Sequence, residues 1–279
     1  MFGLKAERSA SPLKGPSTQC STPVYSEMME RVPSVTYRTE HRATQWYPTL
    51  MIGRETLLKR LTAPVYVTAA IDLLERLEPD DYALYLLDYY REGLRRFGND
   101  WGYADIVTAL MALTDLVVPR RYLEIGVRRG RSICAVASRA PQCELYMFDM
   151  WIKHYAGMEN PGQGLVHTEL DKFGHSGRRV FVDGNSHETL PAFFRDNPDL
   201  VLDLITVDGD HSDAGATQDL VDVLPRLAVG GAIVFDDVSH PVHPGLRQVW
   251  LDVVESDSRF TTWTCDDLGY GVGVGVRRW

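Results

Sequence analysis

The sequence predicts an α/β protein built on a doubly wound, mostly parallel sheet of seven strands. Three observations lead to this fold class. Short apolar runs alternate with helical patterns from Arg121 onward, acidic or glycine-rich loops follow most of these runs, and the last two runs stand close together as a hairpin. Alternating strands and helices are typical of βαβ units, in which helices cover both faces of a parallel sheet. The closing hairpin predicts an antiparallel strand at the carboxyl-terminal end.

Two further regions precede the sheet. Residues 1–34 are rich in Ser, Thr and Pro and lack apolar periodicity, so we predict a flexible arm. Residues 35–117 carry apolar residues at three- and four-residue spacing in three or four segments, with Pro79 at a first helical position. We expect this helical region to form an amino-terminal cap on a domain of residues 118–279.

The predicted strands are short apolar runs, and the helices fill the intervals between them. The strands cover residues 122–125, 144–148, 180–182, 204–207, 232–235, 260–265 and 271–276. The helices lie near residues 132–138, 188–194, 214–227 and 245–255, and Gly230-Gly231 ends the third of them.

The charge composition of the chain indicates which kind of molecule it binds. The 279 residues carry 29 Lys plus Arg against 38 Asp plus Glu, a formal net charge of −9. A nucleic-acid or anionic-membrane binder needs a basic surface, so small molecules are the expected partners. Four scattered cysteines, no membrane-length apolar run and no secretory leader predict a cytoplasmic protein. Homo-oligomerisation is left open.

The loop after the first predicted strand reads Glu-x-Gly-x-x-x-Gly, from Glu124 through Gly126 to Gly130. Glycines allow a tight turn into a helix and a close approach of backbone to a ligand. The spacing differs from the dinucleotide pattern G-x-G-x-x-G. The loop therefore indicates either a ligand site that includes a carboxylate or a tight turn alone.

Two more loops extend this pattern. Asp149 ends the second strand, 25 residues after Glu124. In nucleotide-binding folds, an acidic residue about 20 residues after the glycine loop binds the ribose hydroxyls. Gly184, Asn185 and Ser186 follow the third strand, where small polar groups could read an adenine edge. In each case a capping or loop role is the alternative, and Asn185 or Ser186 suits a helix N-cap equally well.

Acidic residues also follow the fourth and fifth strands. The fourth ends in Asp208-Gly-Asp210-His211, and the fifth ends in Asp236-Asp237. Adjacent strand ends bring these side chains together, and clustered like charges are costly unless a cation neutralises them. Oxygen ligands suit Mg²⁺ or another hard divalent cation. The alternatives are a helix-capping role for Asp210 or Asp213, a solvated loop acid at Asp237 and an ordinary loop histidine at His211.

From Tyr103 to the carboxyl terminus, the chain resembles class I S-adenosylmethionine (SAM) dependent methyltransferases. The Glu124–Gly130 loop, Asp149 and the terminal hairpin carry the resemblance. It implies a Rossmann-like methyltransferase fold in which Gly126 and Gly130 lie along the methionine part of SAM and Glu124 lies near its amino group. Asp149 would bind the ribose, and the Gly184–Ser186 loop would face adenine.

The acidic clusters are similar to those of metal-dependent O-methyltransferases acting on sugars of macrolide and aminocoumarin antibiotics, and of the related cephalosporin hydroxylase group. This resemblance implies that Asp208, Asp236 and Asp237 bind Mg²⁺, with Asp208 also beside the cofactor. The catalytic base is either His211 or Asp210, since members of the group differ on this point.

The expected activity is therefore metal-assisted, general-base transfer of a methyl group from SAM to a hydroxyl. A vicinal diol of a sugar or other natural product is the expected acceptor, because a cation that binds two adjacent oxygens lowers the pKa of the hydroxyl. The alternatives are other chemistry, such as hydroxylation, on the same metal-binding fold, or a non-catalytic SAM-binding scaffold.

Three segments are candidates for the substrate side. Residues 151–162 form a long aromatic loop of the kind that closes an active site. His240 and His243 could contact substrate, although the neighbouring prolines favour a rigid turn. Trp101 and Tyr103 either cover the cofactor or belong to the core.

Overall fold

The computed structural model describes residues 36–38, 43–45, 50–154 and 159–279. The predicted arm of residues 1–34 lies outside the described residues. The structure begins with a small antiparallel pair, β1 (Thr36–Arg38) and β2 (Ala43–Gln45), which the sequence pattern did not predict. Four helices follow: α1 (Arg54–Leu61), α2 (Pro64–Leu74), α3 (Asp81–Phe97) and α4 (Ile106–Val117).

The main sheet has seven strands, as predicted. In chain order, its elements are β3 (Arg121–Ile125), α5 (Arg131–Arg139), β4 (Glu144–Asp149), α6 (Gln163–Lys172), β5 (Arg179–Asp183), α7 (Ser186–Asp196), β6 (Leu202–Val207), α8 (Asp213–Val223), β7 (Leu227–Asp236), α9 (Leu246–Trp250), β8 (Phe260–Cys265) and β9 (Val272–Arg277). A short π-helical turn, Leu251–Glu255, continues α9.

The strand order is β5-β4-β3-β6-β7-β9-β8. The five strands from β5 to β7 are parallel, whereas β9 runs antiparallel to both β7 and β8. The predicted fold class is thereby confirmed. The chain order reverses between β3 and β6, and open α/β sheets bind ligands at such a switch point, beyond the carboxyl ends of the strands.

The central strands are buried on both faces, which explains why they read as continuous apolar runs. Leu123, Ile205 and Ile233 are fully buried on one side of the sheet, and Leu204 and Val234 belong to the core on the other side. Helix α4 is buried along the stretch from residue 107 to 114 and packs against α5 and β7. Helices α1–α4 thus share a hydrophobic core with the sheet, and the division of the chain at residues 117 and 118 stays a prediction.

Two local predictions were wrong. Pro79 does not begin a helix, because Asp80 is the N-cap of α3 and accepts a hydrogen bond from the Ala83 N–H, whereas Pro64 is the first residue of α2. Gly230-Gly231 does not end a helix, because α8 and the 3-10 turn Leu224–Arg226 that follows it already stop before β7 begins at Leu227, and both glycines lie within that strand. The strand continues through Gly230 at a φ of 84°, where its pairing with β6 shifts register.

Candidate active site

The glycine loop between β3 and α5 lies at the switch point of the sheet. The Gly126 N–H donates to the Phe148 carbonyl at 2.9 Å, and the Asp208 N–H donates to the Ile125 carbonyl at 3.0 Å. Gly126 has a φ of +89°, and a Cβ there would stand 1.8 Å from the Asp208 carbonyl oxygen. The backbones that follow β3 and β6 therefore touch at Gly126, and only glycine fits this contact.

We expect Gly126→Ala to lower the free energy of unfolding by about 3 kcal/mol or more, since a strained φ and a backbone clash add together. Urea denaturation measures the change. Gly164→Ala is the matched control, because a Cβ at Gly164 in α6 would meet nothing within 4 Å. This control should be neutral or stabilising by up to about 1 kcal/mol. Equal losses in both variants would contradict the steric explanation.

Glu124 lies in the interior beneath the glycine loop. Its side chain is fully buried, with Oε2 accepting from the Tyr122 hydroxyl and Oε1 accepting from the Ser132 hydroxyl, each at 2.5 Å. Burial raises the pKa of Glu124 to about 8. Both oxygens thus have partners within the protein, and the predicted contact of Glu124 with a cofactor amino group stays a prediction.

Asp149, at the end of β4, ties the neighbouring loops together. Its carboxylate accepts the backbone N–H of Arg128 at 2.7 Å and that of Trp151 at 2.5 Å. The side-chain amide of Asn160 lies 3.4 Å away. This arrangement gives Asp149 the loop-organising role that the sequence left open, and it also places a carboxylate directly beside the glycine loop.

The third loop follows β5. The Gly184 N–H donates to the Asp149 carbonyl at 3.1 Å, so this loop adjoins the previous one. Asn185 is the N-cap of α7 and accepts from the His187 N–H at 3.1 Å. The side chain of Ser186 is buried. The contacts of Asn185 are those of the capping alternative, and its predicted role toward an adenine ring stays a prediction.

Three donor groups meet beyond β6 and β7. His211 Nε2 lies 3.5 Å from Asp208 Oδ1 and 3.4 Å from Asp237 Oδ2. One ligand atom from each residue falls within 4.8 Å of the other two. A hydrogen bond to Asp208 raises the pKa of His211. Burial, followed by the charge of Asp208, raises the pKa of Asp237 to about 7. The cluster therefore concentrates negative charge in a half-buried place.

Asp236, the last residue of β7, stands next to this cluster. Burial raises its pKa well above the usual range, and the charges of Asp208 and Asp237 act in the same direction. The observed cluster consists of Asp208, His211 and Asp237, so its third member is His211 and not the predicted Asp236. The predicted metal set of Asp208, Asp236 and Asp237 therefore shares two members with the observed cluster, and a ligand role for Asp236 stays a prediction.

Asp210 lies on the same turn but is directed elsewhere. Its Oδ1 accepts the Ser212 N–H at 2.8 Å, and its Oδ2 lies 3.9 Å from His187 Nε2. The same carboxylate occupies the space beside Gly215, where a Cβ would stand 2.0 Å from Oδ2. Of the two candidate bases, His211 is therefore the one within reach of Asp237.

Further aromatic side chains surround the cluster. The ring centroid of His243 lies 5.1 Å from that of His211, and His240 lies 4.9 Å from His243 and 4.2 Å from Tyr270. The Val242 N–H donates to His240 Nδ1 at 3.1 Å, as expected of a turn. Sequence reasoning missed Tyr270, because the antiparallel β8–β9 connection brings it here and no local motif marks it.

The amino-terminal helices also reach this edge of the sheet. The guanidinium of Arg131, the first residue of α5, lies 4.7 Å from the centre of the Tyr82 ring on α3. Tyr82 remains 42% exposed, and its partial desolvation, followed by the charge of Asp236, raises the pKa of its hydroxyl. Tyr82 falls in the predicted helical region of residues 35–117, for which the sequence indicated no functional role. Trp101 and Tyr103 are buried, in agreement with their core alternative.

The predicted active-site loop is described only in part. Residues 151–154 and 159–162 flank a segment, 155–158, that lies outside the described residues. Trp151 Nε1 donates to Asp183 Oδ1 at 2.8 Å, which joins the start of this loop to the end of β5. Within the described residues, no helix combines the length and apolar character needed to cross a lipid bilayer.

Comparisons with known proteins agree with this architecture. Residues 123–238 match the model of a family described as a methyltransferase domain. No curated protein matches the chain. The O-methyltransferase TomG from Streptomyces achromogenes, involved in tomaymycin synthesis and solved with SAM, is 20% identical, with a TM-score of 0.51 over 82% of this chain and 100% of its own.

Two other solved structures are similar. A candidate O-methyltransferase from Klebsiella pneumoniae is 20% identical, with a TM-score of 0.50 over 76% of this chain and 97% of its own. CalS11, a TDP-rhamnose 3'-O-methyltransferase of calicheamicin biosynthesis, is 23% identical, with a TM-score of 0.48 over 76% of this chain and 93% of its own. Residues 123–238 thus match a methyltransferase domain, in agreement with the predicted recognition and enzyme class, and the TomG structure shares the fold.

Proposed function

We propose that this protein is a SAM-dependent O-methyltransferase that uses a divalent cation to activate a hydroxyl of a small molecule. The observation that carries the proposal is the cluster of Asp208, His211 and Asp237, in which His211 Nε2 lies 3.4–3.5 Å from one oxygen of each acid. This cluster stands at the carboxyl edge of the sheet, one backbone contact away from the glycine loop at Gly126. The proposed cation site and the proposed cofactor loop are thus adjacent.

The loops after β3, β4 and β5 fit SAM. Hydrogen bonds join the loop after β3 to β4 and the end of β4 to Gly184, so the three loops form one continuous edge. Asp149 receives two backbone N–H groups, and its remaining lone pairs suit ribose hydroxyls. TomG, which shares the fold, was solved with SAM. We assign Glu124, Gly126, Gly130, Asp149, Gly184, Asn185, Ser186 and Asp208 to the cofactor side.

The acidic cluster fits a divalent cation. Oxygens of Asp208 and Asp237 converge beside the imidazole of the candidate base His211, and burial together with the neighbouring acids raises the pKa of Asp236 and Asp237. Asp208 and Asp237 would hold Mg²⁺ or another hard cation, with Asp236 as the third acid. Binding requires the deprotonated acids, so we expect affinity to rise with pH through about 7.

When bound, SAM would supply the methyl group, and the cation would lower the pKa of the acceptor hydroxyl. The residues of the chain would supply the base and stabilise the charge that develops on it. His211 would accept the hydroxyl proton as the acceptor oxygen bonds the methyl carbon and the methyl–sulfur bond of SAM breaks, which would leave S-adenosylhomocysteine; Asp208 and Asp237, 3.4–3.5 Å from the ring, would stabilise the resulting imidazolium. Asp210 is the other candidate base, but its side chain is bonded to Ser212. Two adjacent hydroxyls suit such a site, so we propose a vicinal diol of a sugar or other natural product.

The proposal is tested by incubating the full chain with SAM and Mg²⁺ against a panel of catechols, sugars and other diols. A mass gain of about 14 Da in the acceptor, lost on adding EDTA, is the expected result. Methylation that is unchanged in EDTA would refute the metal dependence. SAM binding by calorimetry without a methylated product from any acceptor would favour a scaffold or other chemistry over methyl transfer.

We expect Asp149→Ala to weaken SAM binding about 10- to 150-fold, because hydrogen bonds of charged groups contribute about 1.5–3 kcal/mol. Isothermal titration calorimetry measures the dissociation constant. Asp196→Ala, at the exposed far end of α7, is the matched acid-to-alanine control and should bind SAM normally. If Asp149→Ala lost stability but kept its SAM affinity, Asp149 would be a structural residue only.

A further inference from the structure

One carboxylate that the proposed mechanism does not use lies in the interior directly below the active-site turn. Asp219, on α8, is fully buried. Among the described residues, neither of its oxygens has a hydrogen-bond partner that meets normal geometry. Burial raises the pKa of Asp219, while the nearby Ser186 hydroxyl, the charge of His187 and the Asp210 backbone favour its charged form. Burying a carboxylate without full hydrogen bonding costs free energy, so the position of Asp219 in the interior calls for a physical explanation.

The position of Asp219 supplies that explanation. A Cβ on Gly209 would stand 3.0 Å from Asp219 Oδ2, so the carboxylate packs against the backbone at the centre of the turn from Asp208 to His211. That Cβ would also meet Ile125 Cγ2 at 2.7 Å. The turn therefore packs against both the end of β3 and the Asp219 carboxylate.

His187 connects this carboxylate to the cofactor side. Its Nε2 lies 3.5 Å from Asp219 Oδ1 and 3.9 Å from Asp210 Oδ2. His187 is the second residue of α7 and directly follows the Gly184–Ser186 loop. Among the described residues, His187 is the side chain within 4 Å of the Asp219 carboxylate that can carry a positive charge.

We propose that Asp219 and His187 are positioning residues that act as a pair. The pair holds the Asp208–His211 turn from below, and so sets the direction in which Asp208 and His211 face the cation and the acceptor hydroxyl. Neither residue touches the reacting atoms. This inference rests on the proposed function, and it adds a connection between the loop after β5 and the turn that carries the base.

The test uses the full chain and the variants Asp219→Asn and His187→Gln. Groups that support metal ligands from behind typically change metal affinity or activity 10- to 100-fold when replaced. We expect each variant to bind Mn²⁺, measured by electron paramagnetic resonance, about 10- to 100-fold more weakly, with SAM affinity within about 3-fold of the wild type. The double variant should be no weaker than the poorer single variant, because paired residues are not additive.

A second measurement does not depend on metal or activity. Backbone amides of residues 208–211 should exchange hydrogen at least about 10-fold faster in either variant, because the turn loses its support. Asp222→Asn is the matched control: it lies on α8, and its carboxylate accepts from Gln218. The control should leave both Mn²⁺ binding and exchange unchanged. His187→Gln keeps the test valid if Asp219→Asn fails to fold.

The outcomes separate the two proposals. A wild-type protein that binds Mn²⁺, together with variants that bind it equally well, would overturn the positioning role and leave the proposed function standing. A wild-type protein that binds no divalent cation would overturn the metal-assisted function. In that case, faster exchange in the variants would still support the pair, and unchanged exchange would overturn it.

Discussion

Asp237→Asn is expected to lower metal-stimulated methyl transfer about 1,000-fold while leaving SAM affinity within about 3-fold. Asp237 Oδ2 lies 3.4 Å from His211 Nε2 in the donor cluster, and an asparagine there cannot supply the negative charge that a divalent cation requires. Removing one partner from a partly buried charged set costs about 3–5 kcal/mol, or roughly 1,000-fold in binding. Initial rates against Mg²⁺ concentration measure the loss.

The same variant should be more stable than the wild type when the metal is absent. Burial and Asp208 raise the pKa of Asp237 to about 7, so between pH 4 and about 7 the folded protein holds a proton that the unfolded chain releases. The stability of the metal-free wild type therefore falls as pH rises through this window. Thermal unfolding in EDTA at pH 8 should show a higher Tm for Asp237→Asn, whereas at pH 5 the two proteins should be similar.

Asp199→Asn is the control for both measurements, because Asp199 is exposed in the connection before β6, at the opposite end of that strand from the acidic cluster. It should change neither the metal response nor the Tm at pH 8. If Asp237→Asn retained metal-stimulated turnover, the cation would have to bind elsewhere, and the assignment of Asp208 and Asp237 to it would be wrong.

His211→Gln is expected to lower kcat about 100- to 10,000-fold, the range typical of a lost general base. In the wild type, the hydrogen bond to Asp208 raises the pKa of His211 above its usual 6.5. Activity requires the neutral imidazole, so the wild-type rate should rise with pH through the pKa of His211. The variant should lose this rise, and a pH profile of kcat measures the difference.

Asp210→Asn distinguishes the two candidate bases. The Asp210 carboxylate accepts the Ser212 N–H and packs beside Gly215, away from Asp237. We therefore expect its kcat to fall less than about 10-fold, with the pH profile unchanged. A large loss in Asp210→Asn together with a small loss in His211→Gln would reverse the assignment and make Asp210 the base.

Much of the fold could be predicted because local patterns report burial directly. The runs around Leu123, Ile205 and Ile233 are continuous and apolar because strands in the centre of a parallel sheet are covered on both faces. The course of β7 was harder to predict, since Gly230-Gly231 normally ends an element. Here Gly230 lets the strand change register beside β6, and this depends on the neighbouring strand.

The sequence determined by itself which residues stand at the strand ends, because the strand-helix alternation places Asp149, Asp208 and Asp237 at one edge of the sheet. Only the tertiary structure decided which contacts the side chains at this edge make. It turned His211 toward Asp237 and Asp210 toward Ser212, and it brought Tyr82 and the pair of Asp219 and His187 to the site from helices. The physical reason is that spacing along the chain specifies backbone position, whereas side-chain direction depends on the turn geometry and on packing with distant elements.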